Sequence, residues 1–436
     1  MKYKYRTIAR IVITAKTPIH IGTGDKSLVS DATVCLDANG LPYIPGTSLT
    51  GLLRQGLDKS LGKELFGEKE GSKVIVSDAC LVFENGKVAE GLLEEMTPFL
   101  RLYEDLPVRQ HVRISHTGTA EKRGKFDEMV VFAGSRFCFE MEFLSEEDRT
   151  ETFKTVAMQL FDSSFRIGGG SRRGFGVVTV NSIRYVSLCL EKDIDLYLSK
   201  SSSLNEDALD GRWKTVEPVN AQAGASGWKI YRIELTPQDF FLFSSGIGGD
   251  DSDIVPTLES IIEWEDDEPV VKTRRTLIPA SSVKGALSHR TAFHYNRIKG
   301  LFADKGKDLH SLIGSRNPAV KVLFGGAGDD AARGNVLFSD VYLEATAPKK
   351  LDHVVIDNFT GGSLESGLFN EVVTCDSGPF VLELMVYLKA CEEDAVIMPA
   401  FEAAIEDLCR GYLPLGGGVN RGHGVFNGRM ISHEGN

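Results

Sequence analysis

Two glycine-rich segments contain residue types that suit the binding of an anion. Residues 166–178 read RIGGGSRRGFGVV and residues 414–426 read PLGGGVNRGHGVF. Consecutive glycines allow a positive φ, and their N–H groups can form a concave nest for a phosphate. Each segment also contains arginine, which binds phosphate oxygens through paired N–H donors. The recurrence of glycines and arginine at matched spacing favours two phosphate sites over two tight turns that only join a helix to a strand.

The candidate ligands in these segments are the glycine triplets, the arginines and one histidine: Gly168, Gly169, Gly170, Arg172, Arg173, Gly416, Gly417, Gly418, Arg421 and His423. His423 stands where the first segment has Phe175, and each ring is expected either to stack on a base or to pack inside the protein. Both segments follow a helical pattern and precede a strand, and neither contains Gly-Lys-Ser/Thr. A nucleotide-binding enzyme is therefore disfavoured.

A second pair of segments indicates two helix starts. Residues 44–55 read IPGTSLTGLLRQ and residues 278–289 read IPASSVKGALSH. The proline ends an extended stretch, and the following hydroxyl pair can cap a helix or leave its first N–H groups to a phosphate. Basic side chains flank the second copy and form either part of the same site or a solvated face. The candidate RNA ligands here are Gly46, Thr47, Ser48, Arg54, Lys272, Arg274, Arg275, Ser281, Ser282 and Lys284.

These motifs recur in one order in the two halves of the chain. Each half opens with an alternating strand (RIVITAKTP, YRIELTP), and each later has a polar excursion and an amphipathic helix before its glycine segment. The order predicts β-α-β-β-α-β in each half. We therefore expect an α+β chain of two tandem ferredoxin-like (RRM-like) domains with inserted thumb or finger loops. The domains are predicted at 1–191 and 227–436, joined by a linker at 192–226.

Composition limits the environment and the partners. The net charge of −12 argues against uniform coating of nucleic acid, although it permits a local basic track. The seven scattered cysteines contain no CxxC pair, which favours a reducing compartment. The first residues alternate like a strand rather than a signal peptide, and no apolar run approaches the roughly 20 residues of a membrane span. We expect a cytoplasmic protein with no membrane partner.

The ordered double set of motifs resembles the RAMP superfamily. More narrowly, it resembles the backbone (“Cas seven”) subunits of CRISPR type III effector complexes, and the tandem arrangement is most similar to the double-backbone subunit of type III-D systems. The similarity covers almost the whole chain outside the linker. It implies binding to CRISPR RNA along both domains, to complementary single-stranded target RNA, and to other RAMP subunits. It also implies that the polar excursions form thumb hairpins that separate segments of guide–target duplex.

The resemblance further implies a catalytic aspartate in the loop after the first strand. By position this residue is Asp31 in the first half and Asp253 in the second, with Asp250 and Asp251 as alternative alignments. Each aspartate would hold a divalent metal, Mg²⁺ or Mn²⁺, together with substrate phosphate and water. Cleavage in the family proceeds by attack of the 2′-hydroxyl and leaves a cyclic phosphate. The alternative is that each Ser-Asp pair only forms an Asx turn.

The leading hypothesis is thus a metal-dependent endoribonuclease subunit that cuts guide-paired RNA. One alternative is a scaffold subunit that binds the guide without cutting. Another is a metal-independent CRISPR RNA-processing endoribonuclease, a class that often uses histidine as acid or base. His20 is the candidate histidine for that role, although a packed or surface position is the expected one.

Overall fold

The computed structural model describes residues 3–24, 30–68, 71–115, 118–207, 209, 211–218, 227–246, 248–249, 251–302, 304, 309–326, 331–344, 347–375 and 377–434. Asp250 and residues 219–226 of the predicted linker lie outside the described residues. Within the described ranges, no helix is long and apolar enough to cross a lipid bilayer.

The first module is built on one antiparallel sheet. Its strands are β1 (Tyr5–Ala15), β2 (Val74–Val76), β3 (Cys80–Val82), β4 (Val108–Ile114), β5 (Ala120–Met129), β6 (Arg136–Ser145), β7 (Val178–Cys189) and β8 (Lys214–Thr215). Its helices are α1 (Gly46–Gln55), α2 (Lys59–Phe66), α3 (Pro98–Arg101), α4 (Thr150–Met158) and α5 (Leu190–Ser199). The strand order is β2-β6-β1-β7-β8, β3 also pairs with β6, and β4 and β5 form a separate hairpin.

The second module repeats this plan. Its strands are β9 (Trp228–Pro237), β10 (Leu258–Glu265), β11 (Glu268–Ile278), β12 (Gly325–Gly326), β13 (Ala332–Arg333), β14 (Val336–Phe338), β15 (Val341–Leu343), β16 (Ala347–Ile356), β17 (Ser363–Cys375), β18 (Phe380–Tyr387) and β19 (Phe426–Glu434). Its helices are α6 (Ala280–Lys299), α7 (Leu309–Leu312), α8 (Pro318–Phe324) and α9 (Ile397–Cys409). The main sheet has the order β14-β18-β9-β19, and β16 and β17 form the second hairpin.

In both main sheets the first strand of the module lies between two later strands, β1 between β6 and β7, and β9 between β18 and β19. It runs antiparallel to both of these neighbours. This is the ferredoxin-like order, so the predicted α+β fold class is confirmed. The predicted apolar stripes are also confirmed, because α4 buries Phe153 and Val156 while α9 buries Phe401 and Ile405. Each such side chain contributes about 1.5–3 kcal/mol when it is fully buried.

The described part of the predicted linker packs on the first module. Helix α5 follows β7 directly, and β8 extends the sheet beside β7. The Arg10 guanidinium donates to the carbonyl oxygens of Leu204 and Glu206 at 3.0 and 2.9 Å, and it lies 5.9 Å from the Trp213 ring. The low periodicity of this segment suggested a plain connection. Its backbone is instead held by a buried arginine that is distant in sequence.

The β10–β11 hairpin of the second module lies on the first module. Trp264 Nε1 donates to the Gly134 carbonyl at 2.8 Å, and the Arg136 guanidinium lies 3.9 Å from the Trp264 ring centroid. Arg136 also pairs with Asp267 at 3.3 Å. The acidic turn of this hairpin therefore contacts a cation of the other module.

A buried ion cluster also joins the two modules. Arg109 on β4 pairs with Asp340 at 2.6 Å and with both carboxylate oxygens of Glu259, and it donates to the Tyr342 hydroxyl at 2.9 Å. Burial disfavours the charged guanidinium, but the charges of Asp340 and Glu259 outweigh it, so the pKa of Arg109 is raised above its ordinary value. The base of the first hairpin is thus fixed against the second module.

Candidate nucleic-acid interface

The first glycine of each triplet lies against a loop backbone. Gly168 has φ +83° and Gly416 has φ +89°. A Cβ on Gly168 would lie 2.3 Å from the His20 carbonyl oxygen, and one on Gly416 would lie 2.4 Å from that of Leu242. Both positions require glycine, because a side chain there would be strained and would also collide with backbone.

The middle glycine of each triplet already donates its N–H group within the protein. Gly169 donates to the His20 carbonyl and Gly417 donates to the Leu242 carbonyl, both at 2.7 Å. These two N–H groups are therefore not offered to a ligand in this conformation. The predicted phosphate sites must depend on other donors of the loops, above all on their arginines.

In the first module the loop arginine is held by a buried carboxylate. Arg173 donates to Glu128 at the end of β5, and His111 Nε2 lies 3.2 Å from the same carboxylate. His111 stacks on Phe126 with centroids 4.9 Å apart, and Arg173 lies over the same ring at 5.4 Å. Burial acts to raise the pKa of Glu128, but His111 and Arg173 outweigh it, so this pKa is lowered.

The second module repeats this arrangement. Arg421 donates to the buried Glu371 at 2.6 Å, and His353 Nε2 lies 2.9 Å from Glu371. His353 stacks on Phe369 with centroids 4.8 Å apart, and Arg421 lies 5.6 Å from that ring. His423 is buried beside Glu371, with Nδ1 3.7 Å from Oε1. This position favours the packing role for His423 over base stacking, as the full burial of Phe175 does in the first module.

The two candidate catalytic aspartates occupy matched positions beside the hairpins. Asp31 Oδ2 accepts the N–H of Asp127 at 3.3 Å, and Asp253 Oδ2 accepts the N–H of Asn370 at 2.8 Å. The two N–H donors, Asp127 and Asn370, each lie one residue before a buried glutamate, Glu128 or Glu371, and these glutamates occupy equivalent positions in the two modules. Both candidate aspartates are exposed. This geometry supports the alignment of Asp253 with Asp31 rather than that of Asp251.

The donor set at each aspartate would complete only part of a metal coordination shell. Among the described residues, no group of three or more His, Cys, Asp or Glu is arranged to hold a metal ion. At the first site Asp127, whose backbone N–H donates to Asp31, has a carboxylate Oδ1 that is buried without a hydrogen-bond partner in the structure as described. At the second site Asn370 Oδ1 accepts the N–H of Asp253 at 3.0 Å. An oxygen-rich set of this kind suits Mg²⁺ or Mn²⁺ only if substrate and water add ligands.

Aspartates distant in sequence cap the two motif helices. Gly46 donates its N–H to Asp78 Oδ1 at 2.7 Å, and Ala280 donates to Asp340 Oδ1 at 2.8 Å. The hydroxyls predicted as possible caps do not act as caps in either helix. The sequence does repeat the pair Ser-Asp at 77–78 and at 339–340, and this repetition is the signal that could have identified the two aspartates. Thr47, Ser48, Ser281 and Ser282 instead lie in the first helical turns.

The first glycine loop packs against the start of the second motif helix. A Cβ on Gly174 would lie 2.6 Å from the Ala280 Cβ and 2.4 Å from Asp340 Oδ1. Arg172 in the same loop donates from Nε to the Gly334 carbonyl at 3.0 Å. The residues predicted as two separate sites therefore meet across the module boundary, with the loop of one module on the helix of the other.

Several cations converge at this boundary, and we call them the cationic seam: Arg166, Arg172, Arg173, Lys284 and Arg333. Burial and then the charges of Arg173 and Arg172 lower the pKa of Lys284 to about 8. Burial and then the charges of Arg333 and Arg166 lower the pKa of Arg172 to about 10. Mutual repulsion of this kind is relieved by a bound anion.

The remaining basic candidates do not join the cationic seam as one cluster. Lys272 and Arg275 both approach Glu263, at 3.8 and 3.2 Å. Arg274 has φ +58° where β11 bulges against β10, and it is exposed. Arg54 is exposed in the last turn of α1. Proximity in sequence had grouped Lys284 with the arginines of β11, whereas the fold places it beside the first glycine loop.

His20 is placed as a packing residue. Its Nδ1 lies 2.7 Å from the Met129 carbonyl oxygen, and the side chain is buried under the first glycine loop. A ring held in this way is poorly placed to exchange protons with a substrate, which disfavours the histidine-dependent alternative.

Comparison with known proteins agrees with the duplicated plan. The family model described as the RAMP superfamily matches residues 12–179 and 246–427. The protein named CRISPR system Cms endoribonuclease Csm3, from Methanocaldococcus jannaschii, is 28% identical over 216 residues, which cover 42% of this chain and 82% of that protein. A chain of the type III-B Cmr-beta complex bound to cognate target RNA, solved by cryo-electron microscopy, aligns with TM-score 0.32 and 20% identity over 42% of this chain and 61% of its own length. With both modules matched by the family model, the chain belongs to the RAMP superfamily.

Proposed function

We propose that this chain is a tandem backbone subunit of a type III CRISPR effector. It binds CRISPR RNA along both modules and cleaves paired target RNA at Asp31 and Asp253 in the presence of Mg²⁺ or Mn²⁺. The observation that carries the proposal is the cationic seam, where the glycine loop of one module packs on a helix start of the other and cations from both modules lie close together. The similarity to a protein named as a CRISPR endoribonuclease supports the same assignment.

The cationic seam suits a backbone phosphate of the guide. Arg172 and Lys284 are more than half buried, and each has its pKa lowered by burial and by neighbouring cations. A phosphate placed there would relieve the repulsion and accept paired N–H donors from arginine. Binding through the phosphate does not depend on base sequence, as a subunit that must accept many guides requires.

Cleavage would take place on the hairpin side of each module. The exposed carboxylates of Asp31 and Asp253 are oriented by N–H donors of the hairpin bases. In the proposed reaction the 2′-hydroxyl gives its proton to solvent as its oxygen bonds to the adjacent phosphorus. The bond from phosphorus to the 5′-oxygen breaks and this oxygen takes a proton from solvent, which yields a 2′,3′-cyclic phosphate and a 5′-hydroxyl. The carboxylates of Asp31 and Asp253 would hold a divalent metal, which would supply positive charge to stabilise the departing oxygen.

The test is to map cut positions on target RNA with complexes that carry Asp31→Ala or Asp253→Ala separately. Each variant is expected to lose one distinct set of cuts, because each carboxylate serves its own module. Asp251→Ala is the matched control, since Asp251 is exposed and near the second site but does not accept the hairpin N–H. It should leave all cuts unchanged, and a chelator should abolish them in every active variant.

Other outcomes point to other functions. If the double variant Asp31→Ala, Asp253→Ala still cuts target RNA fully, the subunit is a scaffold that binds the guide without cutting. Cutting of guide precursor by the chain alone in chelator would identify a processing enzyme. Guide binding should persist in the single-aspartate variants, because neither aspartate belongs to the cationic seam.

A further inference from the structure

The two candidate cleavage sites differ at one matched position of the two hairpins. Residues 126–128 read FDE and residues 369–371 read FNE, so Asp127 of β5 corresponds to Asn370 of β17. Each of these residues donates its backbone N–H to the candidate aspartate of its own module. The first pair therefore consists of two carboxylates, whereas the second consists of one carboxylate and one amide.

At the second site the two side chains bind each other's backbone. Asp253 Oδ2 accepts the N–H of Asn370 at 2.8 Å, and Asn370 Oδ1 accepts the N–H of Asp253 at 3.0 Å. This reciprocal pair orients the loop and already uses the amide oxygen. The amide carries no net charge, so Asp253 is the charged member of the pair.

At the first site the matched residue keeps an unused carboxylate oxygen. Asp127 Oδ1 is buried and has no hydrogen-bond partner among the described residues. Burial of a charged oxygen is costly unless a donor or a cation compensates it. By standard bond lengths the carboxylate carbon lies within about 4 Å of its own backbone nitrogen, and that nitrogen lies 3.3 Å from Asp31 Oδ2. The two carboxylates are thus close enough to attract the same cation.

A lysine changes the balance of charge in the same direction. Lys350 on β16 donates from Nζ to the Asp251 carbonyl at 2.6 Å, two residues before Asp253. The register of the two hairpins places Val108 at this position in the first module. A positive charge beside the second loop lowers its attraction for a metal ion.

Two other charges act in the opposite direction. Lys125 lies two residues before Asp127, and Asp251 lies two residues before Asp253. Their side chains are exposed, as that of Lys350 is, so solvent screens all three. The partly buried carboxylate of Asp127 is screened less. Its charge is therefore the main electrostatic difference between the two sites.

We infer that the first site binds its divalent metal more tightly than the second, with Asp127 as the additional carboxylate, and that it cuts target RNA at a lower metal concentration. The inference rests on the proposed function, because it concerns the same two sites. Affinity for such metals follows the number of ligand charges, so exchange of this carboxylate for an amide should change it about tenfold. The two modules of one chain would then respond separately to the supply of metal.

The test is a Mg²⁺ titration of the assembled complex on one target RNA. The two sets of cuts are first assigned with Asp31→Ala and Asp253→Ala. In the parent complex the first set should reach half of its maximal rate at a Mg²⁺ concentration about tenfold lower than the second set. Equal midpoints, or midpoints in the opposite order, would overturn the inference.

An exchange of the matched residues tests the role of Asp127 directly. Asp127→Asn should raise the Mg²⁺ midpoint of the first set alone, and Asn370→Asp should lower that of the second set alone. Both changes are close to isosteric, and melting temperatures check that the fold is kept. Glu121→Gln is the matched control, because it removes an exposed negative charge from the same strand and should move neither midpoint. An unchanged first midpoint in Asp127→Asn would contradict the inference.

A second readout does not depend on RNA cleavage. Fe²⁺ replaces Mg²⁺, and ascorbate with hydrogen peroxide then generates radicals that cut the polypeptide next to the bound ion. Fragments that end near Asp31 and Asp127 should appear at a lower Fe²⁺ concentration than fragments that end near Asp253, and Asp127→Asn should remove this difference. If neither Asp31→Ala nor Asp253→Ala loses cuts, the proposed function is wrong. If each loses its own cuts while the metal midpoints coincide, this inference alone is wrong.

Discussion

Removal of the Arg109 guanidinium should weaken the contact between the two modules. The Arg109→Ala change leaves Asp340, whose side chain is fully buried, and Glu259, whose side chain is 9% exposed, without their shared cation. Loss of one partner of a buried ion pair typically destabilises a protein by about 3–5 kcal/mol, because the remaining charge stays desolvated. We expect a loss of that size in the free energy of unfolding.

The matched control is Arg113→Ala on the same strand. Arg113 pairs with Glu121 at 3.7 Å, and their side chains are 64% and 42% exposed. Solvent screens such a pair, so its removal should change stability by about 0–1 kcal/mol. Arg109→Lys should be intermediate, because one ammonium retains the charge but cannot reproduce the fork of donors to three acceptors.

The assay is urea denaturation followed by tryptophan fluorescence, because Trp264 lies at the boundary between the modules and reports on their contact. In Arg109→Ala the signal should change at lower urea, before the main unfolding of the modules if they separate first. If Arg109→Ala loses no more stability than Arg113→Ala, the ion cluster is not what holds this boundary.

Three further changes test other parts of the structure. Lys284, with its pKa lowered to about 8, loses its charge as pH rises through 8, so RNA affinity should fall between pH 7 and 9; Lys284→Arg should flatten this titration. Because the unfolded chain keeps that proton up to an ordinary pKa of 10.5, stability should rise over the same window and beyond, which calorimetry can measure. Gly174→Ala should lower the melting temperature more than Gly422→Ala, because both strain a positive φ but only the first collides with another module. Glu128→Gln should change guide affinity, measured by filter binding, more than the cleavage rate at the first site, because it releases Arg173 of the cationic seam without touching Asp31, and Glu128→Asp should restore part of the parent affinity.

The duplicated sequence motifs predicted the fold well because each motif acts within its own module. Alternation identified β1 and β9, apolar spacing identified α4 and α9, and the glycine segments identified the turns before the last strands. These features depend on neighbours in sequence, on local dihedral angles and on one buried face.

The cationic seam could not be predicted in the same way. Lys284 lies close in sequence to Arg275, but the docking of the two modules places it beside Arg172, more than a hundred residues away. The capping aspartates were missed for a similar reason, because Asp78 reaches Gly46 only after β2 has joined the sheet. Packing between elements that are distant in sequence decides such contacts, and no local period encodes it.

The anion site that we propose at the cationic seam has a thermodynamic consequence for the whole chain. A ligand that binds only when both modules are docked stabilises their association by linkage, by about 2.7 kcal/mol at a free concentration one hundred times its dissociation constant. That contribution is close to the loss expected from removing Arg109. Guide RNA bound at the cationic seam would therefore hold the two modules together in place of the Arg109 ion pairs. Saturating guide would restore most of the stability that the Arg109→Ala chain lacks.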